Sequence, residues 1–279
     1  MSYAVGETIP ATVGDYRSVN SGDWSNPSSW QQYNGISWIA AVTAPSSSSN
    51  VITIRDGHTI TVNSTVTADQ VIVDAGGTLI TTIGGNLTIE NGAGIDLDCN
   101  GSFLHSSSQF TVLGEARFNN GSIFNWGLSA ELIGAGTINV LSGSTFSITG
   151  NSNHNFKDGI VLNNYTTCDW QDNGHMTWSG DQISFNNCGI LNISDGNYIS
   201  NDGVTNSSFN NMIGGIINVN ATGTASLSDN GFLFNNHGTI NVLSGVFNMF
   251  GSDGVHDGVY NISSGAEMGG TALINFTGT

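Results

Sequence analysis

The sequence predicts an all-β fold, a parallel β-helix. Three observations carry that expectation: an octapeptide written twice, a short-period marker in phase with it, and a composition that starves helices. "GTINVLSG" runs from Gly136 to Gly143 and returns from Gly238 to Gly245. Its core, an apolar–Asn–apolar triplet ahead of a glycine turn, occurs at Asn139, Asn192, Asn218, Asn241 and Asn261, at spacings of 53, 26, 23 and 20 residues. A second marker, "FNN", begins at Phe118, Phe185, Phe209 and Phe234; the last three each lie seven or nine residues before a triplet asparagine. Two markers in phase at 20–26 residues describe a chain that coils past the same structural position.

Each coil is too short to bury a core alone. Three strands of four to six residues span about 13–20 Å apiece, which with their corners uses up the period. Stacking coils about 4.8 Å apart completes the hydrogen bonding of every strand and joins the buried faces into one core. The stretches "VITIRDG", "HTITVNS", "QVIVDAGG" and "TLITTIGG" alternate apolar and polar residues and end on Gly, Asn or Asp, as half-buried strands between tight turns do. About ten coils follow from the length. The handedness rule for parallel crossovers makes the coil right-handed.

Period-2 alternation then assigns faces. Ile138 and Val140, Leu191 and Ile193, Ile217 and Val219, Ile240 and Val242, and Tyr260 and Ile262 are expected inside. The five triplet asparagines are expected outside in one column, bonded side chain to side chain. Gly143, Gly196, Gly223, Gly245 and Gly265 are expected at corners that need a positive φ.

Residues 1–50 stand apart and are read as a cap, with the solenoid over 51–279. All three prolines, Pro10, Pro27 and Pro45, lie there, with Trp24, Trp30 and Trp38. An open solenoid end would template further strands, so it needs covering. No equivalent stands at the other end, and the chain stops in mid-pattern at "INFTGT", the expectation for a fragment of a longer protein with further domains.

Charge excludes several functions. Of 279 residues 21 are acidic and only Arg17, Arg55, Arg117 and Lys157 are basic, a net charge of −17. Nucleic acid needs clustered cations against its phosphates, and an anionic membrane surface needs them too. No run approaches the ~18 apolar residues of a membrane span. Cys99, Cys168 and Cys188 form no CxxC pair, so zinc and dithiol chemistry are not suggested.

Acids and aromatics cluster at two places in the chain. Asp96 and Asp98 in "GIDLDCN" are two apart, so one strand face would carry both, the spacing of a calcium site or a glycosidase pair. In "CDWQDNGHMTWSG", Trp170 and Trp178 flank Asp169, Asp172 and His175. On an outer face these would stack on sugar rings while the polar groups bond hydroxyls. The markers lapse between Asn151 and Asp181, so a glycan site there would break the repeat. No Ser/His/Asp or HExxH arrangement is legible, and no catalytic residue is assigned.

The segment "ATVGDYRSVNSGDWSNPSSWQQYNGISWIAA", followed by "VITIRDGHTITV" and "VIVDAGGTLI", resembles the N-terminal region of large secreted or surface proteins of Bacteroidetes. There a G-D-Y-R-S, S-G-x-W, S-x-W, G-x-x-W series leads into a β-solenoid. The resemblance covers nearly the whole chain. It implies export by a type IX route, location outside the cell or on its surface, and service as a stalk or adhesin meeting glycans or neighbouring cell surfaces. It implies no catalytic residues and no cofactor.

Overall fold

A computed structural model describes residues 10–171, 174–194, 198–201, 206–228, 232–250 and 254–270. The chain is a parallel β-solenoid of about nine turns at about 22 residues per turn. Each turn lays one strand on each of three faces, and three register columns follow the interior. On the first face the column runs Ile52, Val71, Leu97, Ala116, Ile138, Leu162, Phe185, Phe209 and Phe234. On the second it runs Ile60, Leu79, Phe103, Phe124, Phe146, Cys168, Leu191, Ile217, Ile240 and Tyr260. Val66, Leu87, Phe110, Leu132, Phe156 and Trp178 begin the third.

Every member of these columns is buried except Tyr260, which is partly so. Alternation explains why: a four-residue strand such as Thr137–Val140 turns Ile138 and Val140 inward and leaves Thr137 and Asn139 at the surface. Rings one turn apart then stack, Phe124 on Phe146 at 5.1 Å and Phe185 on Phe209 at 4.8 Å between centroids. Burying each such side chain contributes about 1.5–3 kcal/mol. Ile262, expected inside, is instead 48% exposed.

The repeated octapeptide occupies two different faces. Thr137–Val140 is a first-face strand, whereas Thr239–Val242 pairs with second-face strands. The eight residues thus encode a strand and the corner after it, with Gly143 and Gly245 at φ 84° and 71°. Any corner of the triangle can use that unit. Gly265 also has a positive φ; Gly196 lies outside the described residues. Gly223 lies at a bend as expected, beside Gly245 of the next turn. It sits within the strand Ile216–Ser228, which bends from second to third face through register shifts around Asn220.

The N-terminal segment is more than a lid. Tyr16–Ser18 lies parallel in register with Ile52 and Thr53, and Gly22–Asp23 with Ile60 and Thr61, so it contributes a partial turn of its own. Trp30–Tyr33 and Trp38–Ala40 then run antiparallel across its edge. Trp24 and Trp30 are buried edge to face at 5.2 Å, and their indole N–H groups donate to the carbonyls of Pro45 and Trp24. Asp15 accepts from the backbone N–H groups of Thr12 and Val51. Ser18 Oγ accepts from Arg55 N, and Arg17 lies 4.3 Å over the Trp38 ring. The GDYRS stretch therefore ties the cap to the first full turn.

Candidate functional site

The outer surface is organised by side-chain ladders. On the first face Asn139 Nδ2 donates to Glu115 Oε1 at 3.0 Å. Asn163, Asn186, Asn210 and Asn235 follow, each donating to the Oδ1 of the asparagine one turn earlier at 2.7–2.8 Å. On the second face Asn192 donates to Asp169 Oδ1 at 2.7 Å, and Asn218, Asn241 and Asn261 continue at 2.9 Å. Each ladder starts on a carboxylate because a carboxylate only accepts, so it can stand only at the end toward which all the donors point. The expected single column is thus two ladders. Asn139 belongs to the first face and the other four triplet asparagines to the second.

A third ladder lies inside. Asn164 donates to Asn187 at 2.9 Å, Asn187 to Asn211 at 2.9 Å and Asn211 to Asn236 at 2.8 Å, all four residues being buried. Each donating amide also bonds a corner carbonyl of the next turn, those of Ile190, Ile216 and Thr239. Donation here runs toward the C-terminus, opposite to the outer ladders. This gives the FNN marker its meaning: in Phe185-Asn186-Asn187 the ring fills the core, the first amide joins the outer ladder and the second joins the inner one. Phe118 falls out of phase, pairing with Val140 rather than with the Phe185 column.

The expected glycan patch does not assemble. Trp170 and Trp178 are 1% and 0% exposed, turned into the core on the second and third faces. Neither ring is available to a sugar. Alternation already held this answer, since Asp169 outside forces Cys168 and Trp170 inside. Asp169 heads the second ladder, His175 is exposed on the third face, and Asp172 lies outside the described residues. The described parts of 151–181 do not break the repeat: His154–Lys157, Val161–Asn164, Thr167–Trp170 and His175–Ser179 all pair in parallel register. The markers lapse because Leu162 stands for Phe and Asp169 for Asn, with the rung unchanged.

Asp96 and Asp98 part company as well. Asp96 is buried just ahead of the strand Leu97–Cys99, and its oxygens accept from Gly92 N at 2.8 Å, Glu115 N at 2.7 Å and Gln70 Nε2 at 3.3 Å. It braces the 90–96 corner. Asp98 faces outward, 3.6 Å from Arg117 and bonded by Asn119. The pair is not presented on one face. Among the described residues no group of three or more His, Cys, Asp or Glu is placed to hold a metal ion.

One further charged cluster escaped the sequence. On the third face Glu131 receives Lys157 Nζ at 2.6 Å, Asn155 Nδ2 at 3.0 Å and Gln109 Nε2 at 2.9 Å. Burial alone would raise its carboxyl pKa, but the Lys157, Gln109 and Asn155 bonds bring it below the usual range. Its members are 22 to 26 residues from Glu131, so only stacking reveals them.

No family model, no curated protein and no solved structure matches the chain. Among the described residues no helix is long and apolar enough to cross a membrane. The faces themselves therefore carry any functional reading.

Proposed function

We propose that the chain is a stiff, non-catalytic β-solenoid rod that serves outside the cell as a structural or adhesive element, within a protein of the secreted Bacteroidetes class it resembles. The observation that carries this reading is the commitment of outward side chains to one another along the axis. From Glu115 to Asn235 and from Asp169 to Asn261 the surface amides bond their neighbours a turn away, which ties each turn to the next outside as well as inside. The net charge of −17 supports a rod that stays apart from its copies. The Gly14–Ser18 motif and the tryptophan cap support the resemblance.

Force spectroscopy and a glycan array, run with and without calcium, test it on the same purified chain. A rod gives unfolding in steps of whole turns at high force, with a silent array and no cleavage of neutral or acidic polysaccharides. Specific glycan binding or turnover would replace this reading by a carbohydrate-directed one. Gradual extension at low force would remove the stalk.

A further inference from the structure

At the cap the first sheet ends on an open edge. Trp30–Tyr33 pairs on both sides, with Tyr16–Ser18 and with Trp38–Ala40. Trp38–Ala40 is the last strand of that sheet, and among the described residues it pairs with Trp30–Tyr33 alone. Asn34 N donates to the Ser37 carbonyl and Ala41 N to the Trp30 carbonyl, and antiparallel pairs alternate between bonded and open. Ile39, opposite Gln32, therefore turns its N–H and carbonyl into the hairpin. Trp38 and Ala40 turn theirs to the free edge.

Edge strands are normally blunted by charge, proline or a bulge. This one is not: residues 24–54 hold no Asp, Glu, Lys or Arg, and no proline stands between Pro27 and Pro45. Ile36 and Val42 beside it are 88% and 85% exposed, and Ile39 within it is 45% exposed. Over residues 10–55, Asp15 and Asp23 balance Arg17 and Arg55, so the charge of −17 lies almost wholly beyond the cap. Like charge keeps copies from lying side by side, but at the cap it has nothing to act on.

The edge also complements itself. Two copies laid antiparallel with Ile39 on a two-fold axis set Trp38 of each opposite Ala40 of the other. Those are the residues whose backbone groups are free, and the two bonded pairs supply about four hydrogen bonds. The same register carries Ile36 of one copy toward Val42 of the other and sets Ile39 against itself. A slip of one residue sets free groups opposite groups already used, so the register is fixed.

We propose that the chain pairs cap to cap with a second copy of itself through Trp38–Ala40, in a two-fold dimer whose first-face sheet runs on from one copy into the next. Because the sheet order reverses across the axis, the two solenoids extend in opposite directions. This goes beyond the rod reading and holds whether or not the rod is adhesive.

Sedimentation velocity of the intact chain over a concentration series tests the pairing, with circular dichroism confirming the fold of each variant. A monomer–dimer equilibrium should appear and strengthen with added salt, which screens repulsion between the acidic bodies. Ile39→Lys sets two like charges on the axis and should weaken the dimer about tenfold or more. Register has its own readout in a Cys188→Ser background, where the other two thiols are buried. Ile39→Cys should give a covalent dimer with added diamide, since the two Cα atoms of an open pair stand about 4.5 Å apart, within disulfide range. Ile36→Cys, which faces Val42 instead, should not. A monomer at every concentration overturns the proposal; if deleting residues 1–9 then yields a dimer, that segment is the occupant of the edge. Undiminished pairing of Ile39→Lys, or equal cross-linking of Ile36→Cys, overturns it as well.

Discussion

Asn187 and Asn211 lie one turn apart inside the core, and the amide nitrogen of the first donates to the amide oxygen of the second at 2.9 Å. The same nitrogen reaches the carbonyl of Ile216 at 3.0 Å. Asn192, three residues after the Gly189 corner, makes the equivalent side-chain bonds in the open. Burial separates the two ladders energetically, since water can replace a lost bond only outside. Asn187→Ala should cost about 1–3 kcal/mol for each buried partner left unmet, whereas Asn192→Ala should cost about 0.5–1.5 kcal/mol. Guanidinium chloride midpoints measure both, and equal losses would refute the distinction.

His105 makes the stability of this chain depend on pH. Its Nε2 lies 3.0 Å from the Glu131 carbonyl, which can only accept, so Nε2 carries the proton and Nδ1 accepts from the Thr81 hydroxyl at 2.7 Å. Burial pushes its pKa down to about 4 from 6.5. The unfolded chain therefore binds this proton first as pH falls. Stability from this group is complete above about pH 6.5 and declines to about pH 4, by roughly 3 kcal/mol. His105→Gln keeps a donor and an acceptor and should flatten that part of the pH–stability curve. An unchanged slope between pH 6.5 and 4 in the variant would exclude His105 as its source.

Trp170 and Trp178 act as core residues. Truncating either to alanine should cost about 3–5 kcal/mol. In the native chain both indoles should resist acrylamide quenching, while Trp38, at the cap surface, responds. Strong quenching of Trp170 in single-tryptophan variants would contradict its burial.

Gly238 stands where a Cβ would strike the carbonyls of Gly215 and Met212 on the turn before. Rung spacing leaves no room there, and backbone cannot swing aside as a side-chain tip can. Gly238→Ala should destabilise by about 1–3 kcal/mol, read as a drop in melting midpoint. Gly57→Ala, at an open corner with nothing within 4 Å, carries only the strain of its positive φ and serves as the comparison.

Thiol chemistry should sort the three cysteines. Cys99 and Cys168 are buried, and burial pushes the Cys99 thiol up to about 12 and that of Cys168 well above its usual value. A thiol reagent should modify Cys188 alone in the native chain and all three after denaturation. Rapid native labelling of Cys99 would show that the core opens there.

What the sequence determined by itself is the parts of the coil and how often it returns. The Asn192–Asn218–Asn241–Asn261 ladder, the inward Leu191, Ile217 and Ile240, and the tryptophan cap were all legible, because alternation and repeat length are local properties of the chain. What it could not decide is which turn-mates meet. "GTINVLSG" reads alike at both its positions, yet one copy lies on the first face and the other on the second, since the face depends on every corner length before it. The corners set that count: the 90–96 loop puts 26 residues between Val71 and Leu97, where 19 separate Ile52 from Val71. That Trp170 and Asp169 face opposite ways, by contrast, was a local matter that alternation alone decided. Gln109, Asn155 and Lys157, 22 to 26 residues from Glu131, became its neighbours only when the turns stacked.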